Sequence, residues 1–166
     1  MKKGFTLIEL LVVVSIIGVL ATIVLGSLND ARSSARDARR QQDIRSIQNA
    51  LEVYYLDNGE YPIRGFTRSY NSSWEALEAE LGVVLPRDPI NESGLAYNGD
   101  KNYIYYSLYR ANYGGCPAGQ WYALIYNPER IVDPSENPGV TRCDNGQPLT
   151  LGAGNNAITV GFSPAE

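Results

Sequence analysis

The chain of 166 residues contains no histidine and only two cysteines, Cys116 and Cys143. Histidine is the side chain whose ordinary pKa best suits proton transfer at neutral pH, and it is the commonest metal ligand. Neither cysteine belongs to a C-x-x-C pair, which excludes the thioredoxin-like redox motif. These absences argue against an enzyme, and we assign no residue to catalysis, to a metal or to a cofactor.

An excess of positive charge is also missing. Lysine and arginine number 14 and aspartate and glutamate 18, so the formal net charge is −4 and the sequence pI is about 4.9. Domains that bind nucleic acid usually carry a strongly basic surface. The composition therefore does not favour nucleic acid as the main partner.

The chain has one long apolar run, between Phe5 and Leu28, in which every residue except Glu9 is apolar, Gly, Ser or Thr. As a helix this run is roughly 36 Å long, which exceeds the ~30 Å hydrocarbon thickness of a bilayer. A secretory signal peptide has a shorter apolar core followed by a cleavage site, and this run continues directly into helix-forming sequence. The run is therefore predicted to span a membrane.

Glu9 is the exception that needs a reason. A charged side chain inside a membrane costs on the order of 2.5 to 3.5 kcal/mol at the helix centre, and such residues usually have a partner and a function. No basic residue follows Glu9 within one helical turn. Either the carboxylate reaches the lipid headgroups near the helix end, or it pairs with a group that the linear sequence does not place beside it.

The segment "KKGFTLIELLVVVSIIGVLATIV" resembles the N-terminus of type IV pilins and of the pseudopilins of type II secretion systems. The resemblance implies that residues 1–4 form a leader, that a prepilin peptidase cuts between Gly4 and Phe5, and that Phe5 is then N-methylated. Methylation leaves the charge of the new amine in place. In this family the glutamate that corresponds to Glu9 pairs with the N-terminal ammonium of a neighbouring subunit and sets how subunits dock.

Two features depart from the family pattern. Gly26 stands where many members have proline, and since glycine costs about 1 kcal/mol in a helix interior we expect a weak point of the helix there. The positive-inside rule also fits poorly, because more basic residues follow the run than precede it; the cleavage motif nevertheless predicts a cytoplasmic N-terminus. We expect the arginines after the run to lie at the membrane surface or in salt bridges between subunits, with DNA uptake kept as an alternative: Arg32, Arg36, Arg39 and Arg40.

Beyond the membrane the helix is predicted to continue over residues 29–57, because no proline or glycine interrupts it before Gly59. Its apolar residues recur at helical spacing and predict a face that packs on the rest of the chain: Ile44, Ile47, Leu51 and Tyr54. A second helix is predicted in "SSWEALEAELG", with Ser72 as N-cap and Gly82 as its end.

Three later segments alternate in the manner of strands, "NYIYYSLY", "QWYALIY" and "AITVGF". The predicted fold is therefore α+β, a long N-terminal helix packed on a small antiparallel sheet, as in pilins. Residues 5–28 would form the membrane and filament-core helix, residues 29–57 its amphipathic continuation, and residues 58–166 an extracytoplasmic globular domain.

Up to about residue 108 the chain further resembles the G-type major pseudopilins, through "YYLDNGEYP", "LPRDP" and "YIYYSL". The tail departs from that subgroup, since "YRANYGGCPAGQ" lacks the carboxylates of its calcium-binding loop. Two cysteines on the outer side of the membrane favour a disulfide that bounds the loop 116–143; the alternative is two buried free thiols. Such a loop resembles the disulfide-bounded region of type IV pilins.

The sequence thus predicts a filament subunit, with the type IV pilus favoured because of the disulfide loop and the secretion pseudopilus as the alternative. A third possibility is a single-pass anchor that displays a binding domain and never polymerises. The family implies copies of the same chain, the prepilin peptidase, an assembly platform and its ATPase motor as partners. It also implies the bacterial cytoplasmic membrane as the location before assembly and an extracellular or periplasmic filament afterwards.

Overall fold

The computed structural model of the chain describes residues 6–107, 115–152 and 156–164. They fall into two compact units, Met1–Ala35 and Arg36–Glu166. The first unit is helical, and the second, which we call the head, contains helical and sheet elements. The α+β class predicted from the sequence is confirmed.

Helix α1, Leu7–Asn58, contains 52 residues and is the longest element. Within the head three of the four residues of its predicted apolar face, Ile44, Ile47 and Leu51, are at most 4% exposed, and the fourth, Tyr54, is only partly buried. The helix ends where the sequence predicts, because Gly59 takes a positive φ of 74° and donates its N–H to the carbonyl of Tyr55. Glycine reaches that conformation without steric cost.

Helix α2, Ser72–Leu81, is preceded by Asn71, whose side-chain oxygen accepts the N–H of Ser73 at 3.0 Å. The prediction that Ser72 is the N-cap was therefore wrong by one residue. Asparagine is as good an N-cap as serine. Asn71 is the N-cap here because it has the extended backbone conformation of a cap residue, whereas Ser72 is already helical. Gly82 ends the helix in the left-handed region, as predicted.

A four-stranded antiparallel sheet forms the centre of the head, in the order β1-β2-β3-β6. The three predicted strands are present but shorter than their sequence patterns, and β1 and a separate two-stranded hairpin, β4-β5, were not predicted. The strands are β1 Thr67–Arg68, β2 Ile104–Tyr106, β3 Tyr122–Tyr126, β4 Val140–Thr141, β5 Pro148–Leu149 and β6 Ile158–Phe162.

Both faces of the sheet are covered. One face packs on α1 and α2 through a core rich in tyrosine, in which Tyr103, Tyr105 and Tyr122 lie against Ile47 and Leu51. The other face is covered in two smaller clusters by the C-terminal part of the chain together with Phe66, Leu95 and Ala96. The two central strands, β2 and β3, are therefore buried on both sides and have no exposed residue.

Candidate functional site

The N-terminal half of α1 exposes a continuous apolar surface. Large hydrophobic side chains from Leu7 to Leu20 are roughly half exposed or more, and the most apolar 18-residue window of α1 has a mean hydropathy of 2.8 with none of it buried. By length and composition this helix can cross a membrane. Nothing in the described chain covers this surface, so a lipid phase or other helices must do so.

Glu9 lies at the first turn of α1 and forms a reciprocal cap with Thr6. The Glu9 carboxylate accepts the backbone N–H of Thr6 at 2.9 Å and the Thr6 hydroxyl at 2.7 Å. The Thr6 hydroxyl oxygen in turn accepts the Glu9 N–H at 3.3 Å. This is a capping box, and its T-x-x-E signature, from Thr6 to Glu9, is the sequence signal that could have predicted it. Before any contact with another chain, the carboxylate already has hydrogen-bond donors.

The remaining predicted processing residues stay predictions. Gly4 and Phe5 lie outside the described residues. The helix runs without interruption through Gly26. That the helix bends or melts at Gly26 inside a filament stays a prediction.

A buried ionic cluster fixes the start of the head's helix to two loops. Arg40 is fully buried, and its guanidinium donates to both carboxylate oxygens of Asp88 at 2.7 and 3.0 Å. It also donates to Asp37 at 2.7 Å and to Glu129 at 3.0 Å. The Asp37 carboxylate accepts the backbone N–H groups of Glu129 and Arg130. Three separate segments of the chain thus meet at one guanidinium, a fork that suits paired carboxylates.

Arg36 completes this cluster by a bidentate salt bridge to the carboxylate of Glu129. Its hydrogen bonds are the largest cause that lowers the pKa of Glu129 from 4.5 to about 2. Because the folded-state pKa lies below the unfolded value, this pair stabilises the head above pH 4.5 and is lost as the pH falls towards 2.

The expectation that Arg36 and Arg40 face the membrane or other subunits is therefore wrong. Both pair inside their own chain. Arg39 is exposed but also pairs within the chain, with Asp43 at 3.6 Å, and Arg32 is exposed. The i, i+3 spacing of Asp37 and Arg40 was the only local signal of this cluster.

The two cysteines are joined. The disulfide between Cys116 and Cys143 links Cα atoms 5.0 Å apart, and the Ser163 hydroxyl lies within 3.5 Å of both sulfurs. Cys116 is buried against Trp121 and Ala123 of the sheet's second face. The bridge therefore fastens the C-terminal cover onto the sheet.

Comparisons with known proteins agree with this architecture. Residues 1–25 match the family model described as the prokaryotic N-terminal methylation motif, and residues 25–98 match type II secretion system protein G. The type II secretion system core protein G of Aeromonas hydrophila is 41% identical over 96 residues, which cover 53% of this chain and 67% of that protein.

Other relatives match shorter parts. The core protein G of Escherichia coli K12 is 44% identical over 61 residues, which cover 37% of this chain and 42% of that protein. A fimbrial protein of Neisseria meningitidis is 32% identical over 91 residues, which cover 51% of this chain and 54% of that protein. No solved structure matches the chain significantly.

Proposed function

Because the chain belongs to the family of type IV pilins and type II secretion pseudopilins, we propose that it is a major pseudopilin, the repeating subunit of a filament in a type II secretion system. The observation that carries this proposal is the match to core protein G, which extends from the methylation motif into the head. The sequence alone favoured a type IV pilus, and the comparisons favour the alternative.

The proposed cycle starts in the membrane. The prepilin peptidase removes residues 1–4, and Phe5 becomes the methylated N-terminus, with the head outside the cytoplasm. An assembly platform and its ATPase motor then move the subunit into a filament of identical chains. The exposed apolar surface of α1 supports this cycle, because helix-to-helix burial in a filament replaces the lipid contacts that are lost.

Glu9 has two successive partners in this proposal. In the single chain its carboxylate is held by Thr6. On docking it pairs with the N-terminal ammonium of the preceding subunit, a charge-assisted contact that is stronger than a hydrogen bond to a neutral group. The Thr6 cap keeps the carboxylate partnered until that exchange.

A type IV pilus subunit is the second candidate. The disulfide loop and the similarity to a fimbrial protein favour it. The two candidates separate in cells: deletion of a pseudopilin gene blocks secretion of folded proteins, whereas deletion of a pilin gene removes surface filaments and leaves secretion intact.

The proposed function is tested with Glu9→Ala and a matched control, Ser15→Ala, which lies in the same apolar segment. We expect Glu9→Ala to abolish secretion and the chemical crosslinks between subunits in the membrane fraction, while the protein remains in the membrane at normal level, and Ser15→Ala to have no effect. Intact-mass analysis of the wild-type protein should show a chain that starts at methylated Phe5. Retention of residues 1–4, with secretion unaffected by Glu9→Ala, would instead support the non-polymerising anchor.

A further inference from the structure

Most charged side chains of the described head have a partner within the chain. Among its described residues, two carboxylates form neither an ion pair nor a hydrogen bond, those of Asp57 and Glu60. Two guanidinium groups are likewise without a partner there, those of Arg45 and Arg68. Arg68 is only partly exposed and its Nε is enclosed by the chain. The exposed charges that remain for a second molecule are therefore Asp57, Glu60 and Arg45.

The two carboxylates lie where α1 ends, in the segment 56–60, which we call the helix tip. Leu56 is 83% exposed at its start. The last turn of α1 contains no basic residue, so the negative end of the helix dipole adds to the charge of the nearby carboxylates. The helix tip thus combines an exposed apolar side chain with an uncompensated negative charge.

The backbone of the helix tip is fixed on both sides. Gly59 donates its N–H to the carbonyl of Tyr55 at 2.8 Å. Directly after the tip, Tyr61 is buried, and its N–H donates to the carbonyl of Gly119 at 2.7 Å. A segment that is already ordered loses little conformational entropy when it docks, which favours binding.

The complementary surface is a groove of about 260 Å³ beside α1, over the adjoining ends of β3 and β6. Its floor is formed by three buried apolar side chains, Ile44, Tyr126 and Ile158. Arg45 and Arg130 are the basic residues of its lining. Arg130 pairs with Glu136 at 2.6 Å, so Arg45 alone is uncompensated. The groove therefore offers an apolar floor beside an available positive charge.

We propose that the helix tip of one copy of this chain docks on the groove of a second copy, with Leu56 over the apolar floor and Asp57 and Glu60 at Arg45. The contact brings together the exposed charges that have no partner in the single chain. Complementary charge of this kind orients two molecules and speeds their encounter.

This proposal rests on the filament function proposed above, in which the α1 helices of all copies run in one direction. Asp57 lies twelve residues beyond Arg45, roughly 18 Å along the axis of α1. Tip and groove are thus different surfaces, and their contact shifts each copy along α1 relative to the last. A head-to-tail contact with such a shift repeats into an open series of subunits and does not close into a dimer.

Val84 is an alternative occupant of the groove, because its side chain is 91% exposed after the end of α2. The three glutamates of α2 could supply negative charge beside it. All three already pair within the chain, Glu80 with Arg64 and the other two with Arg87. No unpaired carboxylate of α2 therefore accompanies Val84.

Ile131 is the other alternative, and it is as exposed as Val84. It directly follows Arg130, which lines the groove itself. A contact in which Ile131 enters the groove of a second copy would join the same surface of both copies. Such an isologous contact closes into a dimer and cannot extend a filament. Both alternatives serve as matched controls.

The first test places a photoreactive benzophenone amino acid at Leu56 of the full-length protein in cells. We expect a crosslinked dimer in the membrane fraction in which position 56 is linked to residues 41–48 or 126–138 of the second copy. The same reagent at Val84 or Ile131 should yield no dimer linked to these residues. Crosslinks from position 56 that map elsewhere, or groove crosslinks from the two control positions instead, would overturn the proposal.

The second test exchanges the charges. Arg45→Asp and the double variant D57R/E60R each bring like charges together, and we expect each to reduce the position-56 dimer roughly tenfold or more. Combining all three substitutions restores opposite charges and should return the dimer to within about twofold of the wild-type level. A residue that only supports the fold of its own chain would not be rescued in this way. Failure of the combined variant to restore the dimer, or a normal dimer in Arg45→Asp, would contradict the contact.

Two further charge reversals are the controls for this exchange. Arg39→Asp changes an exposed arginine of the same helix, and Asp133→Arg changes an exposed carboxylate two residues from Ile131. Neither should reduce the dimer. All the altered positions are exposed, so the head should fold normally, as checked by its disulfide and protease resistance.

The two proposals can fail separately. If Glu9→Ala leaves secretion and the subunit crosslinks intact, the proposed function fails, and the contact that rests on it fails too. If the Glu9 variant behaves as expected while position 56 does not reach the groove, the filament function remains and the contact between helix tip and groove is wrong.

Discussion

At the scale of single residues, Arg40 shows how the head tolerates a fully buried charge. Its guanidinium makes four hydrogen bonds to three carboxylates. These contacts outweigh the effect of burial, which alone would lower the pKa of Arg40, and the net result is a pKa above the ordinary value. The cost of removing the charge from water is thus compensated only while all the partners are present.

Replacing Arg40 by methionine tests this balance. Arg40→Met leaves Asp88 and Asp37 buried without their cation, and we expect a loss of about 3 to 5 kcal/mol in the free energy of unfolding. Urea unfolding followed by tryptophan fluorescence measures it. Arg39→Met, one residue away and exposed, should cost less than about 1 kcal/mol, as for a surface pair. Equal losses in the two variants would contradict a special role for Arg40.

The residues divide clearly into those that sequence could and could not predict. The apolar face of α1 was predictable because it depends on spacing within one helix. The partners of Arg40 were not, since Asp88 and Glu129 are brought to it by the fold from 48 and 89 positions away. Glu9 stands between these cases, because its local Thr6 cap was readable and its partner in a filament lies on another chain.

At the scale of elements, short strands escaped prediction while long helices did not. β1, β4 and β5 have two residues each, too few for an alternating pattern to be recognised. Each forms because it pairs with another strand, β1 with β2 and β4 with β5. The second face of the sheet is covered in the same way by the C-terminal part of the chain, which the Cys116–Cys143 disulfide fastens to it.

Removal of the disulfide should therefore destabilise the head. For a sequence separation of 27 residues, the chain-entropy estimate is ~3.5 kcal/mol. The double variant C116S/C143S should show this loss in urea unfolding, and the wild type should lose a similar amount in reductant. Protease should then cut first within residues 115–152, ahead of α1 and α2. Unchanged stability would mean that the cover is held by packing alone.

At the scale of the whole molecule, the two units place opposite demands on their surroundings. The first exposes apolar side chains from Leu7 to Leu20, and the second buries a core of its own on both sides of a sheet. Sequence could predict this division, because a spanning run and a strand-rich remainder differ in composition. It could not predict the order of the strands in the sheet, because the paired strands come from distant parts of the chain.

Removing the apolar half of α1 separates the two demands. A chain of residues 29–166, exported to an oxidising compartment, should fold with its disulfide and remain soluble, because the head's core does not use the removed residues. It should also be monomeric by light scattering, since the truncation removes the exposed apolar surface of α1. The full-length protein in detergent is the control. If residues 29–166 alone assembled into filaments, the apolar helix would not be the main source of assembly energy, and contacts between heads would have to supply it.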